Sequence, residues 1–169
     1  MQPGLVAMHE NWHRVQAKLM NRLPKLGPDE LQLKASTDGW PIWAMVAHVA
    51  GMRVYWLCGV CEEPGAETAP FTKADGEGWE DHLDVPRGSD ELMFAVQSSW
   101  RIVESCLERW TPEMLGETFT RLHRATPQRH TRASVLTRLA THDAFHCGEA
   151  SLLLGMHGLP SMDPWDHLS

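Results

Sequence analysis

Four stretches of the chain repeat apolar residues three and four positions apart, the spacing that lines one face of an α-helix. The first runs from about Leu5 to Leu26 and puts Leu5, Met8, Trp12, Val15, Leu19, Leu23 and Leu26 on one stripe. The second opens at Asp38-Gly39-Trp40-Pro41, where Asp38 or a neighbour can cap and Pro41 suits a first turn. It continues to about Gly59, with Met45, His48, Met52 and Tyr55 on its stripe. The third starts at Ser89, carries Asp90 and Glu91 in the turn where the helix dipole favours acids, and buries Leu92, Val96, Val103, Cys106 and Trp110 before Thr111-Pro112 stops it. The fourth begins near Thr131 and ends at Gly155, with Gly158 and Pro160 beyond it.

The segments between these helices differ in character. From Glu62 to Gly88 the periodicity is lost among prolines and glycines, leaving a connection of roughly 25 residues, well above the usual helix–helix loop. Such a length permits a crossover between helices 2 and 3, and loops of this size in compact domains are usually functional or disordered; this one is expected to pack over one end of the bundle and help shape the pocket. Phe71 and Trp79 give it something to bury. Between Pro112 and His130, Glu117 to Leu122 alternates weakly enough to be extended, but no partner strand is evident and the segment reads as a structured loop. A tail from Met162 to Ser169, carrying Trp165, should pack back on the helices. The pattern predicts an all-α fold, a four-helix bundle with one long crossover connection, as a single domain over residues 1–169.

Composition narrows the function classes. The 169 residues are 43% hydrophobic, enough for one substantial core. No apolar run approaches the ~20 residues of a membrane span, and no basic segment followed by an apolar run marks a signal peptide, so a soluble cytoplasmic protein is expected. Net charge is −7 with no dense Lys/Arg cluster, which argues against nucleic acid as a partner. The four cysteines, Cys58, Cys61, Cys106 and Cys147, are too few for a disulfide scaffold. Cys58 and Cys61 form a C-x-x-C, but without a βαβ context or a second such pair they read as packed thiols.

The histidines carry the candidate chemistry. His142 and His146 stand four apart on the fourth helix and can grip one ion. Among ten histidines chance supplies on the order of one such pair, and His9/His13 is a second. Val135, Leu139, His142, His146, Glu149, Leu153 and Met156 follow core spacing, whereas His9 and His13 sit one position off the stripe of the first helix, in a boundary or solvated role. His48 lies in the stripe of the second helix among Val46, Ala47, Val49 and Ala50 and is the natural third ligand. Two readings fit these residues: a hydrogen-bonded network of the histidines with Asp143 or Glu149, or one divalent ion held by three neutral imidazoles with a coordination position left open. Glu149 can act as catalytic base or orient a ligand histidine. Asp143 reads as a supporting or solvated group, and Arg53 and Arg138, the nearest cations by helix position, read as surface charges or as binders of an anionic group.

The segment WAMVAHVAG, followed far downstream by THDAFHCGEASLLLGMHGLP, resembles the DinB-like (DinB/YfiT) superfamily of four-helix-bundle metal-binding proteins. The resemblance covers nearly the whole chain. It implies zinc, nickel or a similar ion on His48, His142 and His146, and a homodimer. Characterised relatives include transferases and isomerases that use a low-molecular-weight thiol such as mycothiol, bacillithiol or glutathione. The resemblance thus implies a metal-dependent S-transferase acting on a small electrophile with such a thiol. A metal-dependent hydrolase and a non-catalytic metal- or ligand-binding stress protein are the alternatives. Eight tryptophans, including Trp43, Trp56 and Trp100, some of them off the inferred seams, also suggest an aromatic dimer interface.

Overall fold

The structure, a computed structural model, describes residues 1, 3–73 and 75–165. In chain order its elements are α1 (Pro3–Arg22), a single turn α2 (Pro28–Leu31), α3 (Ile42–Val54), α4 (Ser89–Arg109), a single turn α5 (Pro112–Leu115), β1 (Thr118–His123), β2 (Thr126–Thr131) and α6 (Arg132–Met156). The four long helices share one core. α1 and α3 each pack against both α4 and α6, and leucines, valines and tryptophans of all four interlock there.

Helix boundaries follow local chemistry. Glu91 reaches back to accept from the Gly88 N–H at the start of α4, and Thr131 and Ser134 cap each other's backbone N–H at the start of α6. Asp38 does not cap α3; the residue preceding its first turn is Pro41. α3 runs on as a π-helical turn, Tyr55–Val60, in which the Cys61 N–H bonds the Trp56 carbonyl five residues back at 3.0 Å. Among the described residues no helix is long and apolar enough to cross a membrane.

Three expectations change. The protein is mostly helical rather than all-α: β1 and β2 pair antiparallel, Thr118 opposite Thr131 through His123 opposite Thr126. The hairpin turns on Arg124 and Ala125 at φ +48° and +64°, the backbone of a type I′ turn without the Asn-Gly that normally announces one. Trp43, Trp56 and Trp100 are buried rather than at a surface. In the tail, Met162 is buried with its N–H on the Ser151 hydroxyl, whereas Trp165 is exposed; residues 166–169 lie outside the described residues.

The long connection after α3 is ordered by its own contacts. Phe71 is buried and packs edge-on against Trp79 at 5.7 Å between ring centroids. Near its start the Glu63 carboxylate accepts from the Trp110 indole at 2.9 Å and from Arg132 at 2.8 Å, and also pairs with Arg109. This ties the connection to the end of α4 and the start of α6. Further on, Thr72 and Glu80 lie over Gly51 of α3, each 3.4 Å from where a Cβ would stand, so the segment rests on that helix.

Candidate metal centre

The sequence places His48 midway along α3 and His142 and His146 one turn apart on α6, and the packing of α3 on α6 brings the three rings together. Ring centroids are 4.9 Å apart for His48 and His142, 5.1 Å for His48 and His146, and 4.5 Å for His142 and His146. One nitrogen from each lies within 4.8 Å of the others, and no fourth ligand joins the group among the described residues. The rings are half-buried, with Trp40 edge-on to His48 at 4.8 Å and Phe145 edge-on to His146 at 5.1 Å.

Two of the three rings are oriented from behind. His48 Nδ1 lies 3.0 Å from Glu80 Oε1, and His146 Nδ1 lies 2.7 Å from Glu149 Oε2. A carboxylate on Nδ1 fixes the tautomer that donates there and leaves the Nε2 lone pair facing inward. Glu149 therefore stands as the orienting partner of His146. His48 Nε2 and His142 Nε2 face each other at 3.0 Å, so without a cation His142 must donate from Nε2. That choice leaves two buried atoms unpartnered: His142 Nδ1 and Asp143 Oδ1, which lie 3.7 Å apart. A cation held by the Nε2 atoms would move the His142 proton to Nδ1, facing Asp143 Oδ1, and relieve both. The donor set fits a divalent ion of the zinc or nickel type, which imidazole suits. Burial and the neighbouring His142 hold the His146 imidazole below its usual range, against the pull of Glu149, which favours the neutral, ligating form.

Residues 11–150, a span that includes all three histidines, match the family model of the DinB superfamily. The chain belongs to the DinB superfamily. A solved DinB-like protein from Bacillus cereus ATCC 10987 superposes with a TM-score of 0.64 over 91% of this chain and 93% of its own, at 17% identity, a likeness of fold. No functionally curated protein matches the chain.

Within this DinB fold the remaining sequence expectations divide. His9 and His13 lie beside Trp100, remote from the triad, with ring centroids 5.8 and 6.0 Å from the indole. Arg53 and Asp143 are not surface groups. Both are fully buried, Arg53 Nε donates to Asp143 Oδ2 at 2.8 Å, and the Trp12 indole donates to the same oxygen at 2.7 Å. The inferred α6 seam is also displaced by one position. The buried stripe runs through Val135, Leu136, Leu139, Asp143, Cys147, Ala150, Leu153 and Leu154, with His142 and His146 on its edge, while Met156 is exposed. The Cys58/Cys61 pair is packed: burial pushes both thiols up to about 11. Sequence reasoning missed Glu80. Its only signal was an acidic residue beside Trp79 in a connection already expected to shape the pocket.

Proposed function

We propose that this DinB protein is a metal-dependent S-transferase that joins an external low-molecular-weight thiol to a small electrophile at a centre held by His48, His142 and His146. The observation that carries the reading is the convergence of three imidazole nitrogens within 4.8 Å with no fourth protein ligand among the described residues, the donor count of catalytic rather than structural sites. When bound, the ion would act as a Lewis acid that lowers the pKa of a thiol or water.

The chain's own residues supply the setting. Glu80 and Glu149 hold His48 and His146 in register, and Trp40 and Phe145 wall the site. The protein's own thiols are poor nucleophiles: burial pushes Cys106 and Cys147 up to about 12, beyond the already raised Cys58 and Cys61. A nucleophile recruited from solution is consistent with that. Glu149, at the rim beside His146, is the candidate catalytic proton acceptor as well as the orienting group. We also propose a homodimer in the family's four-helix arrangement, supported by exposed Leu152 and Met156 on one side of α6, where Gly148 and Gly155 leave open space beside them. Light scattering should give twice the chain mass, and Leu152→Glu should halve it.

The test of function is conjugate formation. Metal-loaded protein incubated with glutathione, mycothiol or bacillithiol and a reactive alkene or epoxide should produce the thioether faster than buffer, and His142→Ala should not. Hydrolysis of an ester panel without thiol consumption would favour a hydrolase. Metal binding without turnover on either panel would favour a binding protein.

A further inference from the structure

The β-hairpin builds a second feature beside the triad. Phe119 and Arg121 of β1 and Gln128 and His130 of β2 alternate onto one face of the ribbon, and that face lies on the π-helical turn after α3. The Arg121 guanidinium stacks over the Trp56 ring at 4.4 Å and donates to the Tyr55 hydroxyl at 3.0 Å. Arg138 of α6 lies 4.8 Å from the centroid of the same indole, and His130 meets it edge-on at 4.8 Å. Three nitrogen-bearing side chains from three elements thus surround one tryptophan.

Neither arginine meets a carboxylate among the described residues. Among the described residues, Arg121 bonds only uncharged acceptors, the Tyr55 hydroxyl and the Gln128 amide oxygen. Among the same residues Arg138 has no carboxylate partner, and the buried His130 Nε2 has no hydrogen-bond partner. Four other arginines, Arg53, Arg87, Arg109 and Arg132, pair with acids, whereas Arg121 and Arg138 stack on an indole instead. Alongside runs an open groove of about 600 Å³ lined by His130, Arg138, Thr141, His142 and Phe145, with no acidic side chain on its walls. His142 is one helical turn from Arg138, about 6 Å along the axis, so the groove joins Arg138 to the triad, and Arg121 shares the Trp56 indole with Arg138.

We propose that Arg121 and Arg138 form an oxyanion-binding subsite that takes the carboxylate or phosphate of a small substrate whose reacting end lies at the histidine centre. Guanidinium groups present planar donor forks that match either oxyanion in bidentate fashion, and stacking on Trp56 holds both forks in place. The subsite deepens the transferase reading and rests on it for the reacting end only; anion capture itself needs no metal. It narrows the substrate to a short acid in which the anionic group and the reactive atom are separated by about one helical turn, roughly 6 Å.

The experiment is isothermal titration of the full chain with succinate and, separately, with inorganic phosphate, each on chelator-treated and on metal-loaded protein. Saturable binding of at least one anion to both preparations is expected. Arg121→Gln/Arg138→Gln should weaken it at least tenfold, while Arg101→Gln, on an exposed face of α4, should leave it unchanged. Which anion binds assigns the group. Because Arg121 braces the hairpin, Arg138→Gln alone is the second variant. It removes an exposed side chain that makes no hydrogen bond among the described residues, and it too should weaken binding. Absence of saturable binding to wild type overturns the subsite even if the triad holds metal. So does binding seen only with metal that survives the double substitution, since the anion would then sit on the ion. Failure of the metal reading would appear instead as a chain that binds anion but no ion.

Discussion

Two polar clusters meet on neighbouring residues of α6, and they are built in opposite ways. Asp143 belongs to an inner cluster with Arg53, Trp12 and Gln16 that is sealed from solvent. There Arg53 donates to Asp143 and to Gln16 Oε1, and charge is matched by opposite charge. His142 belongs to the outer cluster, half-buried, where three like groups converge and each ring's outward nitrogen is turned toward a carboxylate. The inner cluster neutralises its own charges, and its unbonded Asp143 Oδ1 is turned toward His142 of the outer one. The outer one leaves buried atoms unpartnered and points its lone pairs at a common centre. The difference separates a group that holds the helices together from a group arranged to receive something.

The largest effect should come from breaking the inner cluster. Asp143→Ala strands a buried guanidinium and should cost about 3–5 kcal/mol, a fall in Tm on the order of 10 °C. Arg53→Met combined with Asp143→Leu should recover much of that loss, since a buried pair contributes little over well-packed apolar residues. Urea denaturation of the single and double variants measures both. Next in size, each of His48→Ala, His142→Ala and His146→Ala should abolish the stabilisation that metal gives. At about 100 times its dissociation constant a bound ion adds roughly 2.7 kcal/mol, so chelator should lower the wild-type Tm by several degrees and leave the variants unmoved.

Smaller again are the orienting carboxylates. Glu80→Gln and Glu149→Gln should weaken metal binding about 10–100-fold without abolishing it, as a competition titration against a chromophoric chelator would read. If Glu149 is also the catalytic base, its variant should lose turnover beyond what restored metal occupancy recovers.

pH sharpens the same contrast in metal-free protein. His146 has a folded pKa below its ordinary 6.5 because burial and His142 disfavour its charged form. The unfolded chain therefore binds the proton more readily, so this contribution to stability is full above about pH 6.5 and is lost as pH falls through the folded value. His146→Ala should flatten the decline in stability between about pH 7 and 5, measured by denaturation in chelator.

The long helices were legible because apolar residues recur along them three and four apart, and the triad because His142 and His146 stand four apart on one helix while His48 interrupts an apolar run on another. What was illegible has physical causes. On α6, apolar residues flank the histidines as adjacent pairs, Val135-Leu136 and Leu153-Leu154, so spacing alone could not tell whether the buried stripe passed through His142 and His146 or through Asp143 and Cys147. The hairpin escaped because β2, Thr126 to Thr131, lacks alternation, and its turn uses Arg124 and Ala125 where glycine or asparagine would have signalled. Glu80 escaped because its partner lies 32 positions away, and no local pattern links an acidic loop residue to a helix across the fold.

The central claim is that His48, His142 and His146 hold one ion as a unit, and metal content tests it most directly. Protein purified without chelator or a nickel column, analysed by plasma mass spectrometry, should carry about one divalent ion per chain. Each triad alanine variant should lose most of it, and His9→Ala and His13→Ala, with the same four-residue spacing beside Trp100, should keep it. Wild-type protein that takes up no divalent ion even when supplied, or loss of metal from the His9 and His13 variants while His142→Ala retains it, would contradict the account.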